Sequence, residues 1–298
     1  MIRRPMLAPR EVPGVYPSYF EELNYPLIVS PKLDGIRCIA GEGAAYSRTM
    51  KPLPSKQVQE LFGNLEDLDG ELIVGPPTDF GVYNLTQSHV MSRDKPGDIK
   101  YYVFDSLDDT TLPFYQRIEA LEARVKAIGN PKVRMVGHLP VENYDELVEA
   151  ERKLLNLGFE GLILNNPISA YKQGRATFKQ GIIYKLKRFT DTEAMIIGFK
   201  EGMTNNNAQE VDERGYAKRS SSKENKEGAA TLGVFVVDWN GMELSVGPGV
   251  FKHKERDFIW QNQSYYLGMV LKFKYFAHGI KDKPRYANAL GFRTESDI

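Results

Sequence analysis

A lysine, an aspartate and an arginine lie where a predicted strand opens into a tight turn, in the stretch Ser30-Pro-Lys-Leu-Asp-Gly-Ile-Arg37. Lys32 could serve as a nucleophile, which requires its ammonium group to lose a proton. A free lysine has a pKa of about 10.4, and nearby cations or partial burial favour the neutral amine. The chain must therefore supply cations that face Lys32.

Such cations occur in Tyr184-Lys-Leu-Lys, where Lys185 and Lys187 alternate along a predicted strand. Alternate residues of a strand point to one face of its sheet, so both lysines could lower the pKa of Lys32 and hold a phosphate group. Two carboxylates, Glu71 and Glu160, lie at similar strand ends. Carboxylates beside phosphate-binding lysines predict a divalent cation with oxygen ligands, and Mg²⁺ fits this description best.

Two regions of different character must position these residues. Up to about residue 188, short strands alternate with helices, and the predicted strands are 26–29, 36–40, 70–74, 101–105, 133–137, 161–164 and 182–186. One helix carries apolar residues at helical spacing up to Ile128 and is stopped by Gly129. A second helix begins after Asn143 as N-cap, with Glu146 three residues on, and ends at Gly158.

After residue 188 the strand-like runs dominate, at 194–199, 233–238, 242–246 and 269–275, with one helix predicted at 252–262. Short strands with glycine-rich turns predict a small closed barrel. The polar segment 204–228 is either a mobile loop or an extended hairpin that becomes ordered on contact with a partner. We therefore predict an α+β chain with a domain boundary near Phe189.

Composition sets further limits. The chain has 298 residues, 42% of them hydrophobic, which suffices for one large domain or two ordinary ones. The single cysteine, Cys38, excludes a disulfide framework and favours a reducing compartment. No apolar run could cross a bilayer, and the N-terminus lacks the apolar stretch of a signal peptide. We expect a cytoplasmic protein with no membrane partner.

The charge is unevenly distributed although the formal net charge is zero. Residues 171–188 contain six lysines and arginines and no acidic residue, and residues 214–226 contain five against one glutamate. A neutral sum that includes two basic stretches suits a protein that binds a polyanion with one face.

Six motifs follow one another along the chain: Lys32-Leu-Asp-Gly-Ile-Arg37, Ser47-Arg-Thr-Met-Lys51, Asp69-Gly-Glu-Leu72, Val103-Phe-Asp105, Glu160-Gly161 and Lys185-Leu-Lys187. Each has an ordinary explanation alone, as an exposed turn, a solvated strand or a core aromatic residue. In this order they resemble the nucleotidyltransferase motifs of ATP-dependent DNA ligases, especially the minimal viral and phage type. The likeness runs from Pro5 to Asp297.

The resemblance implies both a fold and a reaction. Residues 1–188 would form a nucleotidyltransferase (adenylation) domain of antiparallel sheets with flanking helices, and residues 189–298 an all-β OB-fold barrel with a latch-like loop at about 204–228. The chain would be a monomer that seals nicks with a 5′-phosphate and a 3′-hydroxyl in duplex DNA, using ATP and Mg²⁺, with Mn²⁺ as a possible substitute. Lys32 would carry AMP covalently before the AMP passes to the nick.

The resemblance also assigns roles to individual residues. At the nucleotide it implies Lys32 as nucleophile, Ser30 near the adenine, Phe104 stacked on the adenine, Arg37 and Glu71 at the ribose, Lys185 and Lys187 at the α-phosphate, Asp34 and Glu160 at the metal and the nick, and Glu71 as a second metal ligand. Arg285 and Asp297 would orient the pyrophosphate. DNA contacts would come from Arg48, Lys51, Lys172, Arg175, Lys218, Arg219 and Lys223.

Two departures from the family pattern and three alternatives stay open. Ala287-Asn-Ala289 replaces a proline and an aromatic residue, and Asn165 stands where the family has an arginine. An RNA ligase or an mRNA guanylyltransferase of the same superfamily would share the motifs. A non-catalytic OB-type DNA-binding module would keep the basic stretches and lack covalent chemistry.

Overall fold

The computed structural model describes residues 4–9, 20–187, 189–211, 217–220, 222, 224–276 and 283–293. The chain divides into two compact units, Met1–Arg188 and Phe189–Ile298. Antiparallel sheets with flanking helices dominate, so the α+β prediction is confirmed. No helix in the described part of the chain is long and apolar enough to span a membrane.

The first unit contains two main sheets and a short strand pair. Its strands are β1 Met6–Leu7, β2 Leu27–Pro31, β3 Ile36–Gly41, β4 Ala44–Tyr46, β5 Leu68–Val74, β6 Ile99–Ser106, β7 Val133–Met135, β8 Leu139–Val141, β9 Leu162–Asn165, β10 Gly174–Arg175 and β11 Ile183–Leu186. Its helices are α1 Lys56–Phe62, α2 Val82–Val90, α3 Phe114–Ile128 and α4 Tyr144–Asn156, with a 3₁₀ turn at Phe178–Gln180.

One sheet has the strand order β4-β3-β5-β6-β7, and the other has the order β11-β9-β2-β8. All of these pairings are antiparallel except β6 with β7. The N-terminal strand β1 pairs in parallel with β10, far along the chain. Each sheet has its own apolar core, and the strands that carry the chemistry motifs run through these cores.

The two predicted helices of this unit are present for the expected reasons. Helix α3 ends at Gly129, whose φ of +62° lies in the left-handed region that glycine adopts without strain. Helix α4 begins after Asn143, whose side-chain oxygen accepts a hydrogen bond from the Glu146 backbone N–H at 3.0 Å. Helices α1 and α2 were not predicted from the sequence.

The second unit is a five-stranded sheet with two helices. Its elements are β12 Thr190–Asn205, β13 Gln209–Val211, β14 Ala217–Arg219, β15 Lys226–Trp239, β16 Met242–Val246, α5 His253–Gln261, α6 Gln263–Tyr266, β17 Val270–Phe276 and β18 Arg285–Phe292. The strand order is β16-β15-β12-β17-β18.

Within the described residues, the sheet of the second unit is closed by a single bridge rather than by a continuous ladder. Its edge strands meet at one parallel bridge, where the Gly247 backbone N–H donates to the Ala287 carbonyl at 2.9 Å. A single bridge replaces the ladder that full closure requires. Ala287 and Ala289 belong to β18 and are buried in the core of the second unit, so this departure from the family pattern lies inside a strand.

The described part of segment 204–228 is an extended hairpin rather than an irregular loop. The β12–β15 ladder continues to the pair Asn205 and Lys226, and β13 then pairs antiparallel with β14. The buried Asn207 amide donates to the carbonyls of Ser220 and Ser222 at 3.1 and 2.9 Å, which fixes the base of this hairpin.

Candidate active site

Lys32 follows the end of β2, where three backbone segments come together. Its backbone N–H donates to the Gly161 carbonyl at 2.8 Å, which joins β2 to the start of β9. Gly161 has a φ of +154°, and a Cβ atom there would lie 2.2 Å from the Leu186 carbonyl oxygen. Only glycine fits this crossing, so the Glu-Gly motif fixes the distance between Lys32 and β11.

The Glu160 carboxylate is held between two lysines. One of its oxygens accepts a hydrogen bond from Lys32 and the other accepts one from Lys187. The Glu160 side chain is only 3% exposed, so both ion pairs are shielded from water. The structure therefore brings Lys32, Glu160 and Lys187 together, as the order of the motifs predicts.

The expected direction of the Lys32 pKa shift is wrong. Burial favours the neutral amine, but the Glu160 carboxylate, with further contributions from Glu71 and Asp34, raises the pKa of Lys32 above its usual value. Burial and the charge of Lys32 lower the pKa of Lys187 instead. Lys32 is thus held as an ammonium group, and its activation must follow a change in the charges around it. Lys185 lies half-buried on β11.

Arg37 on β3 is oriented by a buried carboxylate on β5. Its Nε and Nη2 donate to the two oxygens of Asp69 at 2.6 and 2.7 Å, and Nη2 also donates to the Met6 carbonyl at 3.1 Å. The guanidinium lies 4.6 Å from the centroid of the Phe104 ring, a distance at which the cation and the ring attract each other. Arg37 and Phe104 therefore form one surface.

Glu71 lies directly opposite Arg37 in the β3–β5 pairing. Burial, opposed by the charges of Arg37 and Lys32, raises the pKa of Glu71 to about 7. Its carboxylate makes no hydrogen bond within the described residues, so it is available to a ligand. A carboxyl group that titrates near neutral pH inside a cluster of charges is typical of a functional site.

The carboxylates around Lys32 fit a divalent cation that arrives with phosphate groups. No three His, Cys, Asp or Glu side chains among the described residues form a preformed metal cage. The charges of three carboxylates nevertheless raise the pKa of Lys32, and these are Asp34, Glu71 and Glu160. Mg²⁺ usually binds one or two carboxylates together with substrate phosphates and water, which matches this donor set.

Two other residues predicted to contact the nucleotide, Ser30 and Phe104, lie on the two sheets of the first unit. Ser30 is buried on β2, where it pairs with Ile163 of β9. Phe104 is half-buried on β6. Asn165, one of the departures from the family pattern, is buried at the end of β9. Arg285 begins β18, but its side chain lies outside the described residues, as does Asp297.

The predicted DNA contacts fall at three places. Arg48 and Lys51 are exposed in a tight turn after β4, which is closed by the Ser47 N–H donating to the Lys51 carbonyl at 2.8 Å. Lys172 donates to the Gln180 side chain at 2.9 Å, and Arg175 donates to the carbonyl of Ala8 at 2.7 Å.

The third place is the hairpin of the second unit. Arg219 on β14 is exposed and donates to the Asn207 carbonyl at 2.8 Å. Lys218 is its neighbour on β14, with a side chain outside the described residues, and Lys223 also lies outside them.

Sequence reasoning assigned no role to three residues that support the site. Asp69 and Tyr171 share a hydrogen bond at 2.7 Å, and Met6 supplies a carbonyl to Arg37. Asp69 belongs to the motif Asp69-Gly-Glu, and this motif could have identified it as a site residue. Tyr171 and Met6 had none, because their contacts depend on chain positions about 165 residues apart.

Comparisons with known proteins agree with this arrangement. The family model described as the ATP dependent DNA ligase domain matches residues 5–187. The DNA ligase of the Enterobacteria phage T4 is 25% identical over 201 residues, which cover 64% of this chain and 37% of the phage protein. The chain thus spans little more than a third of that relative.

Solved structures are similar along nearly the whole chain. A Chlorella virus DNA ligase-adenylate is 30% identical, with a TM-score of 0.53, over 99% of both chains. A Lig E DNA ligase, at 22% identity, shares the fold with a TM-score of 0.72 over 98% of this chain and 100% of its own. With the family model covering more than half of its residues, this chain belongs to the ATP-dependent DNA ligases.

Proposed function

We propose that this protein seals nicks in duplex DNA with ATP, through a covalent AMP on Lys32. The observation that carries the proposal is the Lys32–Glu160–Lys187 cluster, in which a buried carboxylate holds the nucleophile beside a second lysine. Attack on phosphorus depends mainly on positioning and on charge neutralisation, and this cluster can supply both.

In the first step the Lys32 Nζ attacks the α-phosphorus of ATP, a nitrogen–phosphorus bond forms, and pyrophosphate leaves. Lys185 and Lys187 hold the α-phosphate oxygens, where negative charge must be stabilised. Glu71 and Glu160 would hold Mg²⁺, which would supply positive charge to the phosphates. Glu160 would then hold Lys32 less tightly, which favours the neutral amine.

The nucleoside occupies the surface made by the sheet that contains β3, β5 and β6. Phe104 stacks on the adenine and Ser30 makes a polar contact near it. Arg37 and Glu71 face each other across β3 and β5, which suits them to the ribose hydroxyls. An ionised Glu71 accepts hydrogen bonds, so nucleotide binding near pH 7 should release its proton.

In the second step a 5′-phosphate oxygen of the nick attacks the same phosphorus and the Lys32–phosphorus bond breaks. In the third step the 3′-hydroxyl attacks the 5′-phosphorus, the phosphodiester forms and AMP leaves. Asp34 and Arg37 serve the nick. Arg48 is suited to the 5′-phosphate, because its side chain is exposed on a tight turn.

The remaining predicted contacts are with the DNA backbone. Phosphate contacts carry little sequence information, so we expect little sequence preference. These contacts come from Lys51, Lys172, Arg175, Lys218, Arg219 and Lys223. Arg285 and Asp297 orient the pyrophosphate in the first step. We propose that the enzyme acts in the cytoplasm as a monomer with Mg²⁺.

Label transfer tests this proposal. Pure protein is incubated with Mg²⁺ and α-³²P-ATP or α-³²P-GTP, and nicked DNA is then added. Lys32→Ala removes the nucleophile, and Lys56→Ala, an exposed lysine on α1, is the matched control. We expect acid-labile label from ATP in the wild type and in Lys56→Ala only, and this label should move into sealed DNA.

Other outcomes would identify the alternatives. Label from GTP alone would indicate an mRNA guanylyltransferase. Adenylation followed by sealing of nicked RNA but not of DNA would indicate an RNA ligase. Nick binding without label from either nucleotide would indicate a non-catalytic DNA-binding module and would refute the mechanism.

A further inference from the structure

We propose that Tyr171 is a positioning residue that holds Arg37 in its working orientation through Asp69 and the backbone of Met6. This inference rests on the proposed ligase reaction, in which Arg37 contacts the ribose and later the nick. Tyr171 touches neither the nucleotide nor the DNA in this proposal, so its effect must pass through Arg37.

The hydroxyl of Tyr171 lies inside a closed ring of hydrogen bonds. It donates to the Asp69 carboxylate at 2.7 Å and accepts from the Met6 backbone N–H at 2.7 Å. Arg37 closes the ring, because its Nη2 donates both to the same Asp69 oxygen and to the Met6 carbonyl. Both partners of the tyrosine hydroxyl are therefore also partners of Arg37.

The ring fixes a buried charge. Asp69 is fully buried and Tyr171 is 6% exposed, so neither exchanges its partner for water. A buried carboxylate stabilises an orientation only when its oxygens are fully hydrogen-bonded, and here Arg37 occupies both oxygens while Tyr171 adds a third bond. Without the hydroxyl, one Asp69 oxygen and the Met6 N–H each lose a partner.

The ring of Tyr171 also contacts a second buried ion pair. The Arg117 guanidinium lies 5.7 Å from the centroid of the Tyr171 ring and donates to both oxygens of the buried Asp105. Asp105 is the direct neighbour of Asp69 in the β5–β6 pairing. The tyrosine thus stands between two buried arginine–aspartate pairs, which leaves its hydroxyl little freedom.

This arrangement leaves one side of Arg37 for substrate. Asp69 and Met6 take up Nε and Nη2, and Phe104 lies against the guanidinium face. The Nη1 group donates no hydrogen bond within the described residues. A shift of the guanidinium would therefore misplace the donor that the substrate uses and also the cation that faces the Phe104 ring.

The test removes the hydroxyl and keeps the ring. Tyr171→Phe, Arg37→Lys and the double variant are compared with the wild type, and Tyr25→Phe is the matched control, since its hydroxyl donates only to the Phe20 carbonyl at 2.9 Å. Two rates are measured at saturating substrate: self-adenylation with ATP, and single-turnover sealing of a pre-adenylated nick. All rates are taken at a temperature at which circular dichroism shows every variant folded.

We expect Tyr171→Phe to slow sealing of the pre-adenylated nick by about 10- to 100-fold. The same substitution in the Arg37→Lys background should cost less than about threefold, because the residue through which it acts is already altered. Tyr25→Phe should match the wild type. Sealing within about twofold of the wild type, or equal losses in both backgrounds, would overturn the proposal. A wild type that forms no adenylate would instead refute the ligase function.

Discussion

Replacing Glu71 by glutamine should remove the pH dependence that this carboxyl group gives to the stability of the first unit. Burial raises the pKa of Glu71 from 4.5 to about 7. The folded state therefore binds this proton more tightly than the unfolded chain does. The stabilisation is complete below about pH 4.5 and is lost as the pH rises through about 7.

The size of the effect follows from the two pKa values. Between about pH 5 and about pH 8.5 the wild-type protein should lose roughly 2–3 kcal/mol of unfolding free energy through this one group. Glutamine has a similar shape and does not titrate, so Glu71→Gln should lack this loss. The difference in stability between variant and wild type should change by the same amount over this pH range, in favour of the variant at high pH.

The assay must resolve the first unit from the second, because both tryptophans, Trp239 and Trp260, lie in the second unit. Urea unfolding followed by pulsed hydrogen exchange and mass spectrometry gives a transition for peptides from β5 and a separate one for peptides from β15. Glu119→Gln, an exposed substitution on α3, is the matched control. A constant stability difference between Glu71→Gln and wild type across the pH range would refute the reasoning, since it would mean that the carboxylate is as well solvated as in the unfolded chain.

Two further substitutions test the backbone and the DNA surface. Gly161→Ala should destabilise the first unit by about 2–4 kcal/mol in urea unfolding, because the added Cβ would meet the Leu186 carbonyl. The control Gly137→Ala should not, because a Cβ there would meet nothing within 4 Å. A loss below about 1 kcal/mol for Gly161→Ala would contradict the geometry. Arg48→Ala should leave self-adenylation unchanged. In nick-binding titrations it should reduce the slope of the log binding constant against log salt concentration by about 1, whereas the control Arg152→Ala on α4 should leave this slope unchanged. An unaltered slope for Arg48→Ala would show that this residue does not contact the DNA.

Local signals in the sequence predicted much of the fold. The Asn143 N-cap and Gly129 define helix ends through contacts within a few residues, so these ends can be predicted from local sequence alone. Strands β3 and β16 were predicted within one residue of their observed ends. Helix α2 was missed, because its apolar residues are few and its start has no side-chain cap.

The electrostatics of the site could not be predicted in the same way. Sequence reasoning placed two lysines near Lys32 and inferred a lowered pKa. Asp34 belongs to the same motif as Lys32, but Glu71 and Glu160 come from distant parts of the chain, and their combined charge at Lys32 depends on the fold. The identity of the cluster was therefore predictable from the motifs, whereas the balance of its charges required the fold.

The parallel pairing of β1 with β10 has a consequence for the order of synthesis. Met6 leaves the ribosome well before its partner Tyr171, which follows it by 165 residues. Contacts so far apart carry a large loop-closure entropy and form late. A nascent chain can thus build most of its first core before Arg37 gains its full support, which is complete only after residue 171 has been made.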